Sequence, residues 1–424
     1  MFVVKKAIKI ACFIVVLFSI SIKSSEKVEA FQPAAHYSLI QNVAEELPSD
    51  SIIENAIKTY PNIAAWGAVG PDLGYFQPSQ LGGYAPWADK YHYYKVGTFA
   101  KNMLEKAISA NDLREIAFAA GWVSHISGDL ACHGIYVNPE CGVYMDNEET
   151  RDLHSELEKK AEPYVWKSLG GQSVNIYTNK KLANLYCETE SIPLDLLNDV
   201  SESVYGTSAS TFEEKRWCDL LLAGLNSGVG YSYTNYDDAI SFLSKNGRRK
   251  RLEKAYITAK KQCIELLKLA DKNDYSKFSD RWNLDVGASE SPISSLTAIV
   301  STGTKSGAGT DDDIYFGVEL RTGESKEWKL DKSFYNDFEN GDNDEYYLYI
   351  NDIDFSPSLV SKVWIQKKHI KYSVGEAWYL NKFKVDVNGK VATSEVYNGW
   401  VKGNNTIYFD VDWSDVTNTS DPTF

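Results

Sequence analysis

The spacing of apolar residues changes once along this chain, and that change limits the folds open to it. From about residue 36 to 270 apolar positions recur every three or four residues. Ala35 to Leu47, Thr98 to Ala110, Leu113 to Cys132, Glu148 to Trp166 and Arg251 to Ala270 carry the pattern. That spacing buries one face of a helix. From Leu296 onward the period falls to two. Leu296, Ala298 and Val300 alternate, then Ile314, Phe316 and Val318, Leu348 and Ile350, Phe383, Val385 and Val387, and Ile407, Phe409 and Val411. Gly303, Gly307, Gly309, Gly341, Gly375, Gly389 and Gly403 punctuate the runs. Short alternating strands between turns predict a β-sandwich. The expected chain is multidomain, all-α then all-β. Asp280 to Pro292 is polar and rich in small residues, which puts the helical domain at 31–283, a linker at 284–293 and the sandwich at 294–424.

The first thirty residues stand apart from both patterns. Lys5, Lys6 and Lys9 precede an apolar run from Ile10 to Ile20, and Val28-Glu29-Ala30 closes a polar stretch. A basic start, a short apolar core and a small residue before the cut predict a secretory signal peptide over 1–30, cleaved before Phe31. The run is too short to span a bilayer comfortably. The full chain has a formal charge of −14; residues 1–30 hold five lysines and two glutamates, so their removal leaves −17. Such an acidic chain fits poorly with nucleic acid, which is held mainly by cations on phosphates. Five cysteines follow Phe31, namely Cys132, Cys141, Cys187, Cys218 and Cys263. In an exported protein they allow two disulfides and one thiol, with pairing open, or five thiols.

The histidines are concentrated. Of six, five fall between residues 36 and 154: His36, His92, His125, His133 and His154. His125, Asp129 and His133 are spaced i, i+4, i+8, which on one helix puts them on one face, each advanced about 40° on the last. His154 and Glu158 repeat the i, i+4 spacing. One such pair is usually a surface hydrogen bond. Two pairs, sharing most of the histidine and joined by Gly70-Pro71-Asp72 and Tyr91-His92-Tyr93, point to a metal, and imidazole with carboxylate favours zinc. Asp72 also reads as a simple helix cap after Pro71.

The order of these residues resembles the bacterial zinc-dependent phospholipase C family, whose helical fold is shared with fungal single-strand nucleases. The resemblance implies three zinc ions held by Phe31 (through its α-amine and carbonyl), His36, Asp72, His92, His125, Asp129, His133, His154 and Glu158, with Asp72 also the catalytic base. The family usually begins with Trp where this chain has Phe31. The gap of four from Asp129 to His133 is similar to that in the glycosylphosphatidylinositol-specific phospholipase D branch, whereas the toxins and nucleases have six.

Downstream, Ser301 to Gly317 resembles the opening of a PLAT (C2-like) lipid-binding domain. Glu327-Trp328 and Val363-Trp364-Ile365 are similar to the second domain of clostridial alpha-toxin phospholipases. The resemblance implies calcium near Gly309, Asp331, Asp337, Glu376 and Ala377. The acidic loop adds Asp311 and Asp312, because carboxylates gathered at one end of a sandwich call for a hard cation. Gly307 and Glu376 stand where the toxins carry Asp. The aromatic residues Phe334, Tyr335, Tyr372, Trp378 and Tyr379 are of the amphipathic kind that settles among headgroups.

The expected protein is a secreted, monomeric zinc phospholipase C. It would cleave phosphatidylcholine-like lipids at a membrane surface, with calcium in its second domain, and act as a membrane-damaging, haemolytic toxin without a nucleic-acid partner. A nuclease or nucleotidase on the same fold, or a non-catalytic membrane-binding toxin subunit, is the alternative.

Overall fold

The computed structural model describes residues 31–76, 85–143, 150–171, 181–187, 189–227, 236–290, 292–350, 355–370 and 377–411. The expected signal peptide, Tyr372 and Glu376 lie outside the described residues. The chain divides between Ser289 and Glu290 into two compact units.

The first unit is helical. Its helices are α1 (Pro33–Ala44), α2 (Ile52–Thr59), α3 (Pro61–Ala68), α4 (Pro86–Tyr93), α5 (Val96–Ala110), α6 (Leu113–Ala131), α7 (Asn138–Cys141), α8 (Arg151–Tyr164), α9 (Lys181–Leu185), α10 (Leu194–Tyr205), α11 (Thr211–Ser227), α12 (Tyr236–Leu243) and α13 (Arg248–Ala270). A short 3₁₀ segment, Pro71–Phe76, follows α3.

Helix α6 is the axis of this unit. Asp112 caps it, accepting from the Arg114 and Glu115 N–H groups at 2.8 and 3.3 Å. Every residue from Ile116 to Ala131 is buried, as expected of a helix enclosed on all sides. Gly67 and Gly121 let α3 and α6 touch backbone to backbone. A Cβ at Gly67 would sit 2.0 Å from the Phe118 carbonyl oxygen, and one at Gly121 would sit 2.1 Å from that of Ala64. The helix does not run on unbroken through His133, as the i, i+4, i+8 spacing predicts. It widens into a π-helical segment, Cys132–Val137, a distortion that often marks functional sites.

The expected linker is displaced. Residues 284–289 belong to the helical unit, where β1 (Trp282–Asn283) and β2 (Ala288–Ser289) form a small hairpin. The small polar residues that suggested a linker make its turn. Leu284 N–H donates to the His92 carbonyl at 3.1 Å. The Asn138 side chain donates to the Asp285 and Val286 carbonyls at 2.7 and 3.1 Å.

The second unit is a sandwich of two antiparallel sheets. Its strands are β3 (Leu296–Thr302), β4 (Asp313–Leu320), β5 (Ser325–Lys329), β6 (Asn343–Tyr347), β7 (Val360–Lys368), β8 (Ala377–Val387), β9 (Lys390–Lys402) and β10 (Asn405–Phe409), ordered β10-β7-β4-β5 and β6-β3-β8-β9. Phe316 of one sheet meets Phe383 of the other at 5.9 Å between ring centroids. The alternation at Leu348 and Ile350 is not a strand. Strand β6 ends at Tyr347 and turns Asp344 and Tyr346 inward. The five described cysteines are thiols, the second of the two arrangements the sequence left open.

Candidate metal centre

Helix α6 supplies His125 and Asp129, α1 supplies His36, the 3₁₀ segment Asp72, and α4 His92. All five are buried, the most exposed being Asp72 at 5%. His36 stacks on His125 with ring centroids 4.3 Å apart. Its Nε2 lies 3.4 Å from Asp129 Oδ1. His125 Nε2 is 3.1 Å from Asp129 Oδ2, and His92 Nε2 is 3.2 Å from Asp72 Oδ1. Asp72, His92, His125 and Asp129 therefore aim ligand atoms at one point, with His36 against Asp129.

A second group forms from the π-helical segment and α8. His154 Nε2 and His133 Nε2 stand 2.9 and 3.4 Å from Glu158 Oε1. His133 thus joins His154 and Glu158 rather than extending the His125–Asp129 face. Phe31 is fully buried, edge-on to His36 at 5.9 Å between rings. Its ring abuts Gly128, where an added Cβ would lie 3.3 Å away.

Three of the imidazoles are oriented through their other nitrogen. His92, His125 and His133 place Nδ1 on the carbonyl oxygens of Ala88, Ala68 and Leu284, at 2.7, 3.0 and 2.7 Å. Nδ1–H donating to a carbonyl leaves Nε2 with a lone pair, the usual arrangement behind a metal-bound imidazole. Two such lone pairs, on His92 and His125, face each other 3.4 Å apart. Neutral rings held this way repel unless a cation lies between them. Asp72 Oδ1, both Asp129 oxygens and both His36 nitrogens are buried without a hydrogen-bond partner of good geometry. Orphaned donors of this kind, all imidazole and carboxylate, fit zinc.

The protonation preferences divide: His36 and His154 are held neutral, whereas the acids around His92 and His125 favour a positive charge there. Burial, with His125 alongside, pushes His36 down to about 4. Burial pushes His154 down to about 4 and Glu158 up to about 8, the latter against the pull of His133. Burial opposes a charged His92, but Asp72, Asp129 and Asp285 outweigh it and raise the pKa to about 9. Burial also penalises ionised Asp129, yet His125, His36 and His133 hold it well below the ordinary carboxylate range.

Two supporting groups were not legible in the spacing. Glu162, buried on α8, accepts from the Ala34 and Ala35 N–H groups at 3.1 and 2.8 Å and so caps α1 just ahead of His36. Leu284 belongs to a segment that looked like linker.

In the sandwich unit the expected cation ligands separate. Asp312 is buried against Lys367, and it also takes His369 Nδ1 and the Ile370 N–H, each at 3.0 Å. Its carboxylate is already neutralised, so it is not a calcium ligand. Asp337 accepts from the Lys332 N–H and Tyr346 hydroxyl at 3.0 and 2.8 Å. Asp311 is exposed in the β3–β4 loop near half-buried Gly309, and Ala377 opens β8. Asp331 is exposed, 3.3 Å from Lys329. Among the described residues, no three of these acids converge as the helical unit's ligands do. Phe334 and Tyr335 stand exposed. Trp378 and Tyr379 do not. They are core residues whose polar ends bond to Thr302 Oγ1 and the Asn398 carbonyl at 3.0 and 2.9 Å, which corrects their expected place at a membrane.

Residues 35–204 match the family model described as zinc dependent phospholipase C, and residues 297–410 match the PLAT/LH2 domain. The first span holds every side chain of both ligand groups. A phospholipase C of Paraclostridium bifermentans is 35% identical over 127 residues, 30% of this chain and 31% of the relative. One of Clostridium perfringens is 34% identical over 115 residues, 27% and 28% respectively. The aligned stretch therefore spans less than a third of either relative. The crystal structure of alpha-toxin from an avian Clostridium perfringens strain aligns over 90% of this chain and 99% of its own at 16% identity, with a TM-score of 0.27.

Proposed function

Because the chain belongs to the zinc dependent phospholipase C family through residues 35–204 and carries a PLAT/LH2 domain over 297–410, we propose that it is a zinc-dependent phospholipase C. It hydrolyses phosphatidylcholine-like lipids to diacylglycerol and a phosphorylated headgroup. The observation that carries this reading is the convergence of Asp72, His92, His125 and Asp129 with partnerless buried oxygens.

His36, Asp72, His92, His125 and Asp129 would hold metal in one group, and His133, His154 and Glu158 in the other. The Phe31 α-amine would join the first group once residues 1–30 are removed. Bound zinc supplies Lewis acidity toward phosphoryl oxygens and a nucleophile available near neutral pH. The carbonyls of Ala68, Ala88 and Leu284 hold three imidazoles in one tautomer. Asp72 orients the attacking water and takes its proton. The burial of the surrounding side chains keeps bulk water from competing.

The same reading makes the enzyme an exported monomer and a membrane-damaging, haemolytic toxin. Its second unit docks on the phospholipid surface through Phe334 and Tyr335, aided by calcium among Gly309, Asp311, Asp331, Asp337 and Ala377. The exposure of both aromatic side chains and of Asp331 supports this part. The test is zinc content of the secreted protein together with phosphocholine release from phosphatidylcholine vesicles. Zinc and release in the same fraction are expected. A zinc-free protein, or a zinc-loaded one that releases nothing, overturns the reading.

A further inference from the structure

The hairpin turn between β1 and β2 brings one more carboxylate to the metal centre. Leu284 ties this turn to both ligand groups, giving its N–H to the His92 carbonyl and taking His133 Nδ1 on its own carbonyl. Asn138 holds the next two carbonyls. Gly287, at φ 71°, presses on the π-helical segment so closely that a Cβ there would lie 2.0 Å from the Gly134 nitrogen. The turn is therefore fixed in place, and the side chain it fixes is Asp285.

Asp285 is 2% exposed. One oxygen, Oδ2, accepts from the Tyr93 hydroxyl. The other, Oδ1, is buried without a hydrogen-bond partner. The carboxylate lies within electrostatic reach of His92 in the first ligand group and of His154 and Glu158 in the second. A buried carboxylate with a bare oxygen is unfavourable unless a positive charge faces it. The cations that suit the neighbouring imidazoles also suit this oxygen.

We propose that Asp285 is a further cation-directed residue of the metal centre, raising its affinity for zinc from a position the nine family ligands do not include. The inference rests on the zinc reading above. A role limited to anchoring Tyr93 needs no charge, because an amide oxygen accepts the same hydrogen bond. Asp285→Asn therefore removes the charge while keeping shape and acceptor.

The test uses the full secreted protein. Zinc per chain is measured at equilibrium with a competing chelator, and thermal midpoints are taken with and without zinc. Asp285→Asn is expected to bind at least one zinc roughly 10- to 100-fold more weakly, with a smaller zinc-induced rise in midpoint. Its zinc-free midpoint should equal or exceed that of the zinc-free wild type, since a buried charge has gone. Asp285→Ser, smaller and neutral, should weaken zinc binding in the same way and covers the case in which the Asn variant does not fold. Tyr93→Phe, which keeps the charge, should retain zinc. Wild-type zinc affinity in the Asn or Ser variant overturns the inference. So does a lowered zinc-free midpoint with unchanged affinity, which makes Asp285 only the partner of Tyr93. A wild-type protein without zinc is the separate failure of the proposed function.

Discussion

Acidic residues in the two units look alike in sequence and have opposite environments in the structure. In the helical unit Asp129 and Asp72 are buried with oxygens that no protein donor satisfies. In the sandwich Asp312 is just as buried, but Lys367, His369 and a backbone N–H surround it. Asp344 likewise meets Lys332 Nζ and the Phe338 N–H, each at 2.9 Å. A carboxylate whose charge is matched by the chain stabilises the fold. One left unmatched beside imidazoles is suited to an ion. Partner supply, not acidity, separates the two.

The sharpest way to break this contrast is to disable an unmatched acid. Asp72→Asn should lower turnover by roughly 10²- to 10⁴-fold, the usual range for loss of a positioned base, with an unchanged helical circular dichroism spectrum. Vesicle hydrolysis near the wild-type rate would remove Asp72 from the site. Next in size is the chain's first residue after processing. If Phe31 contributes its α-amine, a mature protein extended by one residue presents an amide with no available lone pair and should lose a zinc ion. Metal analysis of both forms decides this, and full zinc in the extended form would sever the start at Phe31 from the metal centre.

The candidate ligands were legible because metal chemistry imposes spacing. His125 with Asp129 and His154 with Glu158 must sit one helical turn apart, and that interval survives any tertiary arrangement. The division into two groups was not legible. It depends on the π-helical widening at Cys132–Val137, which an i, i+4, i+8 pattern does not reveal. The helical and sandwich classes followed from periodicity, yet β5, β6, β7 and β9 escaped it. Strand β5 is an exposed edge and β9 is exposed along most of its length, so neither needs an alternating apolar face. Trp378 and Tyr379 misled for a related reason. An aromatic side chain with a polar end suits an interface, but it also suits a core that supplies Thr302 or the Asn398 carbonyl.

The matched acids make the opposite forecast. Lys367→Met leaves Asp312 without its buried cation and should destabilise the sandwich by roughly 3–5 kcal/mol, seen as an earlier unfolding transition in urea. Asp331→Ala, at an exposed site, should change stability by no more than about 0.5 kcal/mol while weakening calcium-dependent sedimentation with phosphatidylcholine vesicles. If Lys367→Met costs nothing, the pairing with Asp312 is not what satisfies that carboxylate. Unchanged calcium dependence in Asp331→Ala would remove that residue from the cation site.

A modest effect is expected at Phe334, whose side chain is fully exposed at φ 64°. A left-handed backbone is unfavourable for a bulky residue, and exposed Phe gains nothing from water, so neither fact serves the isolated fold. Insertion into the headgroup layer would recover apolar burial worth about 1.5–3 kcal/mol for a whole side chain, less what stays wet. Phe334→Ala should therefore weaken vesicle partitioning by about tenfold, the equivalent of roughly 1.4 kcal/mol, and leave the rate on a soluble short-chain phosphodiester unchanged. Tyr335→Ala should do less, because its hydroxyl already donates to Asp342 at 3.2 Å and the ring is half covered. Equal partitioning of both variants and the wild type would place the membrane contact elsewhere on this unit.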